Sequence, residues 1–265
     1  MSKNPIEQLS GLCVVTGASS GIGLELAKLA ASDGCDLLLV ADCDLDTAHA
    51  TVTRCGAASV ETLKTDLSEK DGIDAVLRKL GDREVAVLMA NAGHGLGHAF
   101  FEEHWHEIAH VIDTNVKGTI SLIHKIGGQM EKRDRGRILV TGSIAGDMPG
   151  AFQLVYNSTK AFVNDFCVGL AEELEHSNVV VSCLMPGVTD TQFFKRAGME
   201  DTSAGQSGNK ADPAKVARDG YDALLNGETQ TVSGFINKVQ DLFADILPDS
   251  VVAQMHRRLA QPHDQ

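Results

Sequence analysis

Short, uninterrupted apolar runs alternate along this chain with stretches of helical periodicity, and few folds accept that order. The runs fall at 12–15, 36–41, 85–90, 138–140 and 178–185, and a more polar strand-like stretch lies at 60–65. Strands without polar alternation are buried on both faces. Between them Ile22, Leu26, Leu29 and Ala30, then Ile73, Val76, Leu77 and Leu80, and later Phe162, Phe166, Leu170 and Leu174 recur at helical spacing. Repeated βα units of this length predict an α/β protein, a parallel sheet with helices on both faces. With 265 residues, no internal repeat and no linker, one domain over 1–265 is the economical expectation.

The first βα junction carries chemistry. Run 12–15 passes at once into Thr16-Gly17-Ala18-Ser19-Ser20-Gly21-Ile22-Gly23, where a helical pattern starts that stops at Gly34. Glycines let a backbone turn tightly and approach a pyrophosphate, while a helix start offers free N–H groups and positive dipole. The spacing is GxxxGxG, not the commoner GxGxxG. Asp42 closes the second strand nineteen residues after Gly23, near the roughly 20 expected of an acid that bonds an adenosine ribose. A carboxylate there repels a 2′-phosphate, and neither the turn nor Cys43 supplies a local Arg or Lys. NAD is therefore expected over NADP. The plain alternative is a solvated strand-end aspartate, since Asp44 and Asp46 follow.

Further along, Ser143 stands just past run 138–140, thirteen residues before Tyr156, and Lys160 comes four after it. Residues four apart share one helix face, which places the Lys160 ammonium beside the Tyr156 phenol. A free tyrosine has a pKa of about 10, and a neighbouring cation favours its phenolate, making it a better proton carrier near neutral pH. Ser143, past a strand end, lies where α/β sheets bind ligands. A surface Tyr–Lys pair with a loop serine is the bland alternative.

Taken together and in order, these motifs resemble the short-chain dehydrogenase/reductase family in its single-domain branch, over about residues 12–191. The resemblance implies a Rossmann-type doubly wound sheet. It implies that Gly17, Ser19, Ser20, Gly21, Ile22 and Gly23 form the cofactor turn, that Asp42 takes the ribose, and that Asp66 and Leu67 contact adenine. Asn91-Ala92-Gly93 matches a second signature, beside the cofactor. Asn115, Ser143, Tyr156 and Lys160 match the catalytic tetrad. Pro186 and Gly187 open a segment whose Thr189 backbone and Thr191 side chain meet the nicotinamide carboxamide and phosphates. Hydride then passes between NAD(H) and a carbon bearing hydroxyl or carbonyl. In the family's scheme Tyr156 moves the proton, Lys160 lowers its pKa and bonds the nicotinamide ribose, Ser143 donates to the developing alkoxide, and Asn115 holds a water. As a bare residue, Asn115 can instead tie off a kink in its helix. Many relatives carry a basic or neutral residue where this chain has Asp42, which marks an NAD-using member.

Beyond residue 191 the pattern departs from the family. Residues 231–236 read as a last strand, but the usual Val-Asp-Gly-Gly-like ending is missing. Instead 236–265 carry apolar residues spaced for two short amphipathic helices broken at Pro248, to be packed on the chain's own core or a partner subunit, or roofing a pocket. Family tetramer contacts are therefore not carried over, although a homo-oligomer is expected. Residues 192–212, opened by Phe193 and rich in Gly, Ser and Thr, suit a mobile lid or a surface loop. Met148, Phe152, Phe193 and His94 are the candidate substrate wall, fitting a fairly nonpolar alcohol or ketone. His106 and His110 have a spacing that can serve zinc, but no HExxH pattern accompanies them and no metal is expected.

Composition narrows the partners. Twenty-three basic against 36 acidic residues gives −13, a poor balance for holding nucleic acid. Six cysteines show no CxxC spacing, which predicts a reducing, cytoplasmic compartment. No leader-like apolar core is seen near Met1, and no run approaches membrane-spanning length. Two other functions stay open: an NAD(H)-binding sensor or scaffold that has lost turnover, and a nucleotide-sugar epimerase or dehydratase, whose relatives are usually longer.

Overall fold

Val, Leu and Ile in unbroken runs form strands because they pack well on a pleated surface covered from both sides. In the computed structural model, which describes residues 3–234 and 249–262, the strands are β1 Leu12–Thr16, β2 Asp36–Ala41, β3 Ser59–Lys64, β4 Val85–Ala90, β5 Gly136–Thr141, β6 Val179–Met185 and β7 Gln230–Val232. They build one sheet in the order β3-β2-β1-β4-β5-β6-β7. Every neighbouring pair is parallel. The chain reverses direction across the sheet between β1 and β4, and such a switch point opens a crevice at the carboxyl ends of the strands.

The helices are α1 Gly21–Ser32, α2 Asp46–Arg54, α3 Lys70–Leu80, α4 Trp105–Ile112, α5 Thr119–Leu122, α6 Gly128–Lys132, α7 Leu154–Glu173, α8 Phe193–Arg196, α9 Pro213–Asn226 and α10 Asp249–Ala260. Side chains alternate across each strand. Val15, Leu37 and Leu39 therefore meet Leu26, Ala30, Val52 and Tyr221 from α1, α2 and α9. Val14, Leu38 and Val140 meet Val76, Leu122, Met130 and Val163 from the opposite layer. Each such Val or Leu, fully buried, contributes about 1.5–3 kcal/mol.

The helix expected over about 105–126 runs on to Lys132, because α4, α5 and α6 are joined by π-helical turns at Asp113–Gly118 and Ile123–Gly127. Such turns recur at functional sites. In the first, Gly118 lets the helix settle on the loop after β3: a Cβ there would lie 2.6 Å from the Leu67 carbonyl. The expected last strand is β7, shorter than 231–236, and its positions beyond 234 lie outside the described residues. So do the first expected C-terminal helix and Pro248, whereas the second is α10. Among the described residues no helix is long and apolar enough to cross a membrane.

One buried charge holds three segments together. Arg137 at the start of β5 donates to the carbonyls of Leu224 and Leu225 at the end of α9 and to that of Asn4. Those carbonyls form the negative end of a helix, where a cation is favoured. Removing the guanidinium leaves acceptors without a donor. Arg137→Met is therefore expected to lower unfolding stability in urea by about 2–4 kcal/mol; an unchanged midpoint would contradict this role.

Candidate active site

The crevice is built at the ends of β1, β4 and β5. The Thr16 hydroxyl oxygen accepts from the backbone N–H of Asn91 (3.0 Å) and Ala92 (2.9 Å). The Asn91 amide donates to the carbonyls of Thr16 (3.2 Å) and Gly17 (3.4 Å), and its oxygen accepts from the Thr141 hydroxyl (3.0 Å). Neither Thr16 nor Thr141 stood out in the sequence as a site builder. Over this knot the glycine turn closes, with Gly17 at φ 64° and Gly21 at φ 56°, a region glycine enters freely. At Gly23 a Cβ would sit 2.2 Å from the Gly17 carbonyl oxygen and 2.5 Å from the Asn91 amide nitrogen. Ser19, Ser20, Gly21 and Ile22 are part-exposed, and Ser20, the residue before α1, makes no side-chain cap. A cradle of this shape at a helix start fits a pyrophosphate.

Along the crevice wall, Thr191 packs against Gly21, where a Cβ would come within 2.9 Å of the Thr191 methyl. Thr189 is buried, its hydroxyl donating to the Gly187 carbonyl (2.9 Å), and the Thr191 hydroxyl accepts from the N–H of Phe193 (3.2 Å). The Pro186 carbonyl accepts from the Ser143 hydroxyl (3.3 Å).

Asp42 is exposed just past β2. A cation near it comes from far along the chain: Nη2 of Arg196, at the end of α8, lies 3.8 Å from the Cys43 thiol. Next to β3, the Asp66 carboxylate accepts from the Ser68 N–H (2.8 Å) and pairs with His110 (3.4 Å). Burial pushes Asp66 up, but Ser68 and His110 together hold it below the usual carboxylate range. His94 stacks edge-on against His110, ring centroids 4.9 Å apart. The backbone at residue 94, on which this ring is carried, is clamped from both sides. The Asn115 oxygen accepts from the His94 N–H, and the Asn115 amide donates to the His94 carbonyl, both at 2.9 Å.

Asn115 itself is buried in the π turn and also donates to the Thr159 hydroxyl (3.0 Å). Its side chain bonds the loop after β4 and α7, and so fixes the two to each other. Gly93 touches both centres, since a Cβ there would lie 3.3 Å from the Asn115 oxygen and 3.4 Å from Lys160 Nζ.

Ser143, Tyr156 and Lys160 come together as expected from spacing. The Ser143 hydroxyl accepts from the Ala145 N–H (3.1 Å), and Asn164 bonds both its N–H (3.3 Å) and its carbonyl (2.9 Å). The acidity of Tyr156 differs from expectation. Burial pushes its phenol up to about 12, and a hydrogen bond from Ser143 works the other way. The Lys160 ammonium donates to the Thr141 carbonyl (2.7 Å) and stands 5.9 Å from the tyrosine ring centre. Burial in turn pulls Lys160 down to about 8. Both groups are thus biased toward their neutral forms.

At the open end, Phe193 lies against Tyr156, ring centroids 5.0 Å apart, and joins Phe152, Phe194 and Met199 in a small apolar cluster. Met148 packs separately, against the sheet core. The segment 192–212 is folded over the site: the N–H of Gly97 donates to the Ala197 carbonyl (3.1 Å), and Thr189 bridges Ala211. Among the described residues no group of three or more His, Cys, Asp or Glu side chains is placed to hold a metal.

A doubly wound parallel sheet with a glycine turn after its first strand is a dinucleotide-binding architecture. The family model for short chain dehydrogenases matches residues 12–201. Human 17-beta-hydroxysteroid dehydrogenase type 1 is 34% identical over 190 residues, 69% of this chain and 58% of that protein. A very-long-chain 3-oxoacyl-CoA reductase of the fungus Laccaria bicolor is 33% identical over 64% of this chain and 52% of its own length. This chain thus spans little more than half the length of those two relatives. Among solved structures, a short-chain dehydrogenase from Sphingobium yanoikuyae in complex with NADPH has a TM-score of 0.79 at 27% identity, covering 90% of this chain and 96% of that one. The chain belongs to the short-chain dehydrogenase/reductase family.

Linkage gives a test of the buried lysine. Because folded Lys160 sits near 8, below the 10.5 of a free lysine, the unfolded chain binds more protons between those values. Stability therefore rises with pH across that window and is lost as pH falls through the folded value. Wild type is expected to gain about 2–3 kcal/mol in urea unfolding between pH 8 and 10 relative to Lys160→Met; parallel pH profiles would contradict the assignment.

Proposed function

We propose that this chain is an NAD(H)-dependent oxidoreductase that moves hydride between the cofactor and a secondary alcohol or ketone carbon, with Tyr156 as general acid and base. The observation that carries the reading is the meeting of Ser143, Tyr156 and Lys160 at the mouth of the glycine-turn crevice. A nicotinamide dinucleotide, when bound, supplies or accepts the hydride; the chain does the rest. The turn 17–23 and the start of α1 hold the pyrophosphate, Asp42 the adenosine ribose, and Asp66 and Leu67 line the adenine side. Pro186, Gly187, Thr189 and Thr191 hold the nicotinamide end.

Tyr156 gives its proton to the carbonyl oxygen in reduction and takes one from the hydroxyl in oxidation. With its pKa raised by burial it stays protonated at neutral pH, ready to donate. Ser143, fixed by Ala145 and Asn164, stabilises charge growing on the same oxygen. Lys160 places a positive group beside the phenol, and Asn115 holds the backbone that frames it. Phe152, Phe193 and Met199 favour a bulky, mostly apolar substrate, in keeping with the steroid and long-chain oxoacyl compounds in the names of two relatives. Exposed Leu154, Phe162 and Val168 on α7 support a homo-oligomer, and six free cysteines support a cytoplasmic setting.

Screening alcohols and ketones with NAD+ and NADH, followed at the nicotinamide absorbance, tests the reading; binding without consumption would indicate a sensor. Tyr156→Phe is expected to cut kcat at least 100-fold, on the order of what general acid–base catalysis supplies, with NADH binding retained. Undiminished turnover would sink the assignment. Asp42 is expected to set cofactor choice, with Arg196 nearby softening its repulsion of a 2′-phosphate. Asp42→Ala should relax the preference for NAD and Asp42→Arg reverse it, as read from kcat/KM with both cofactors. A wild type that favours NADP would refute this part.

A further inference from the structure

The C-terminal helix docks where the proton-transfer residues are, through contacts that the reaction itself does not use. His256 of α10 is buried, and both of its ring nitrogens are engaged. Nδ1 lies 3.0 Å from the Ala151 carbonyl, and Nε2 lies 3.2 Å from the Asn157 amide nitrogen. A carbonyl only accepts, so Nδ1 carries the proton and Nε2 accepts from Asn157. The same amide nitrogen donates to the Met148 carbonyl at 3.0 Å, and Gly150 presses against it so closely that a Cβ would fall 2.2 Å from the Asn157 side-chain carbon. Asn157 is the residue beside Tyr156. Its own oxygen is buried with no hydrogen-bond partner among the described residues, so the amide is held there by what its nitrogen does.

Two further contacts tie α10 to the rest of the substrate end. The Arg257 guanidinium stands 5.8 Å from the ring centre of Phe152, a residue at φ 64°. A bulky side chain in the left-handed region is strained by roughly 1–2 kcal/mol and persists only where its surroundings impose it. On the other side, the N–H of Ala204 donates to the Leu259 carbonyl (3.0 Å), Thr202 bridges Pro262, and Ala260 joins the cluster of Phe194, Ala197 and Met199. Gln153 reaches Met199 Sδ at 2.9 Å, closing the loop before α7 onto the same lid.

We propose that His256 is a positioning residue for the substrate half of the site: it clamps α10 to Asn157 and Ala151 so that the 150–153 loop and the 199–205 lid close around a bulky apolar substrate as one piece. The inference rests on the oxidoreductase reading above and adds to it which element shapes the pocket. The contacts named above are to the 148–153 loop, α7 and the lid, so the clamp is expected to act on the alcohol or ketone rather than on the dinucleotide.

The test uses the full chain with His256→Phe, which keeps an aromatic ring and removes both hydrogen bonds, and His256→Gln. A carboxamide holds its donor and its acceptor one carbon apart, as imidazole does, so Gln can meet Ala151 and Asn157 together. His256→Phe is expected to raise KM for the best substrate of the screen roughly tenfold, on the order of two lost hydrogen bonds. Its kcat should change less than threefold and its NADH affinity should stay at the wild-type value, while its melting temperature should fall by a few degrees and recover with Gln. His256→Gln is expected to return KM to within about threefold of wild type. In the same variants, amide exchange at Ala204 and Gly205 should quicken with Phe and recover with Gln, which reads the docking even if no tested alcohol or ketone is turned over. An unchanged KM and unchanged exchange in His256→Phe would overturn the proposal. So would a joint fall of substrate affinity, NADH affinity and melting temperature that Gln does not rescue, since that marks a merely structural histidine.

Discussion

Asn91 holds the carboxyl ends of three adjacent strands in one hydrogen-bonded knot, and the rest of the site is hung from it. Its side chain and backbone join Thr16 of β1 and Thr141 of β5 at the point where the sheet order reverses. A parallel sheet leaves its strand ends as unpaired polar backbone. Here that backbone is turned inward and satisfied by side chains of its neighbours, so the crevice floor is rigid before anything binds. The glycine turn can then lie flat on this floor, because Gly23 adds no atom between the Gly17 carbonyl and the Asn91 amide. Thr141 links floor to chemistry, since its carbonyl also holds the Lys160 ammonium.

The second theme is burial acting on charge. Tyr156 and Lys160 share a helix face, but each is pushed by desolvation toward its uncharged form, the phenol upward and the ammonium downward. Proximity along a helix does not by itself make a proton relay. The lysine's attraction for a phenolate competes with its own bond to a backbone carbonyl.

How much of this was legible in the sequence follows the range of the forces involved. Unbroken apolar runs and helical periods are local, so β2 and β4 match their expected bounds and most other strands differ by only a few residues at their ends. The glycine turn and the Ser143, Tyr156 and Lys160 set were visible because their spacing encodes a strand end and a helix face. Long-range juxtaposition left no such trace. Arg196 reaches Cys43 from 153 residues along the chain, His94 lies against His110, which pairs with Asp66, and His256 meets Asn157 from 99 residues away. Asn115 combines both cases: its identity was readable, whereas the π turn that aims it depends on tertiary packing.

The chain contains two tyrosines, which makes the proposed acid–base group directly observable. Tyr221 is buried on the other face of the sheet, its hydroxyl donating to Asp33 at 2.6 Å, and serves as an internal control. Labelling the tyrosine ring carbon that bears oxygen with carbon-13 gives two NMR signals whose shifts report phenol ionisation. Neither should titrate below about pH 10 in the free protein. Addition of NADH is predicted to move the Tyr156 signal and bring its titration to lower pH, leaving Tyr221 in place. Two signals indifferent to NADH would contradict the account, because the phenol would then not face the dinucleotide crevice.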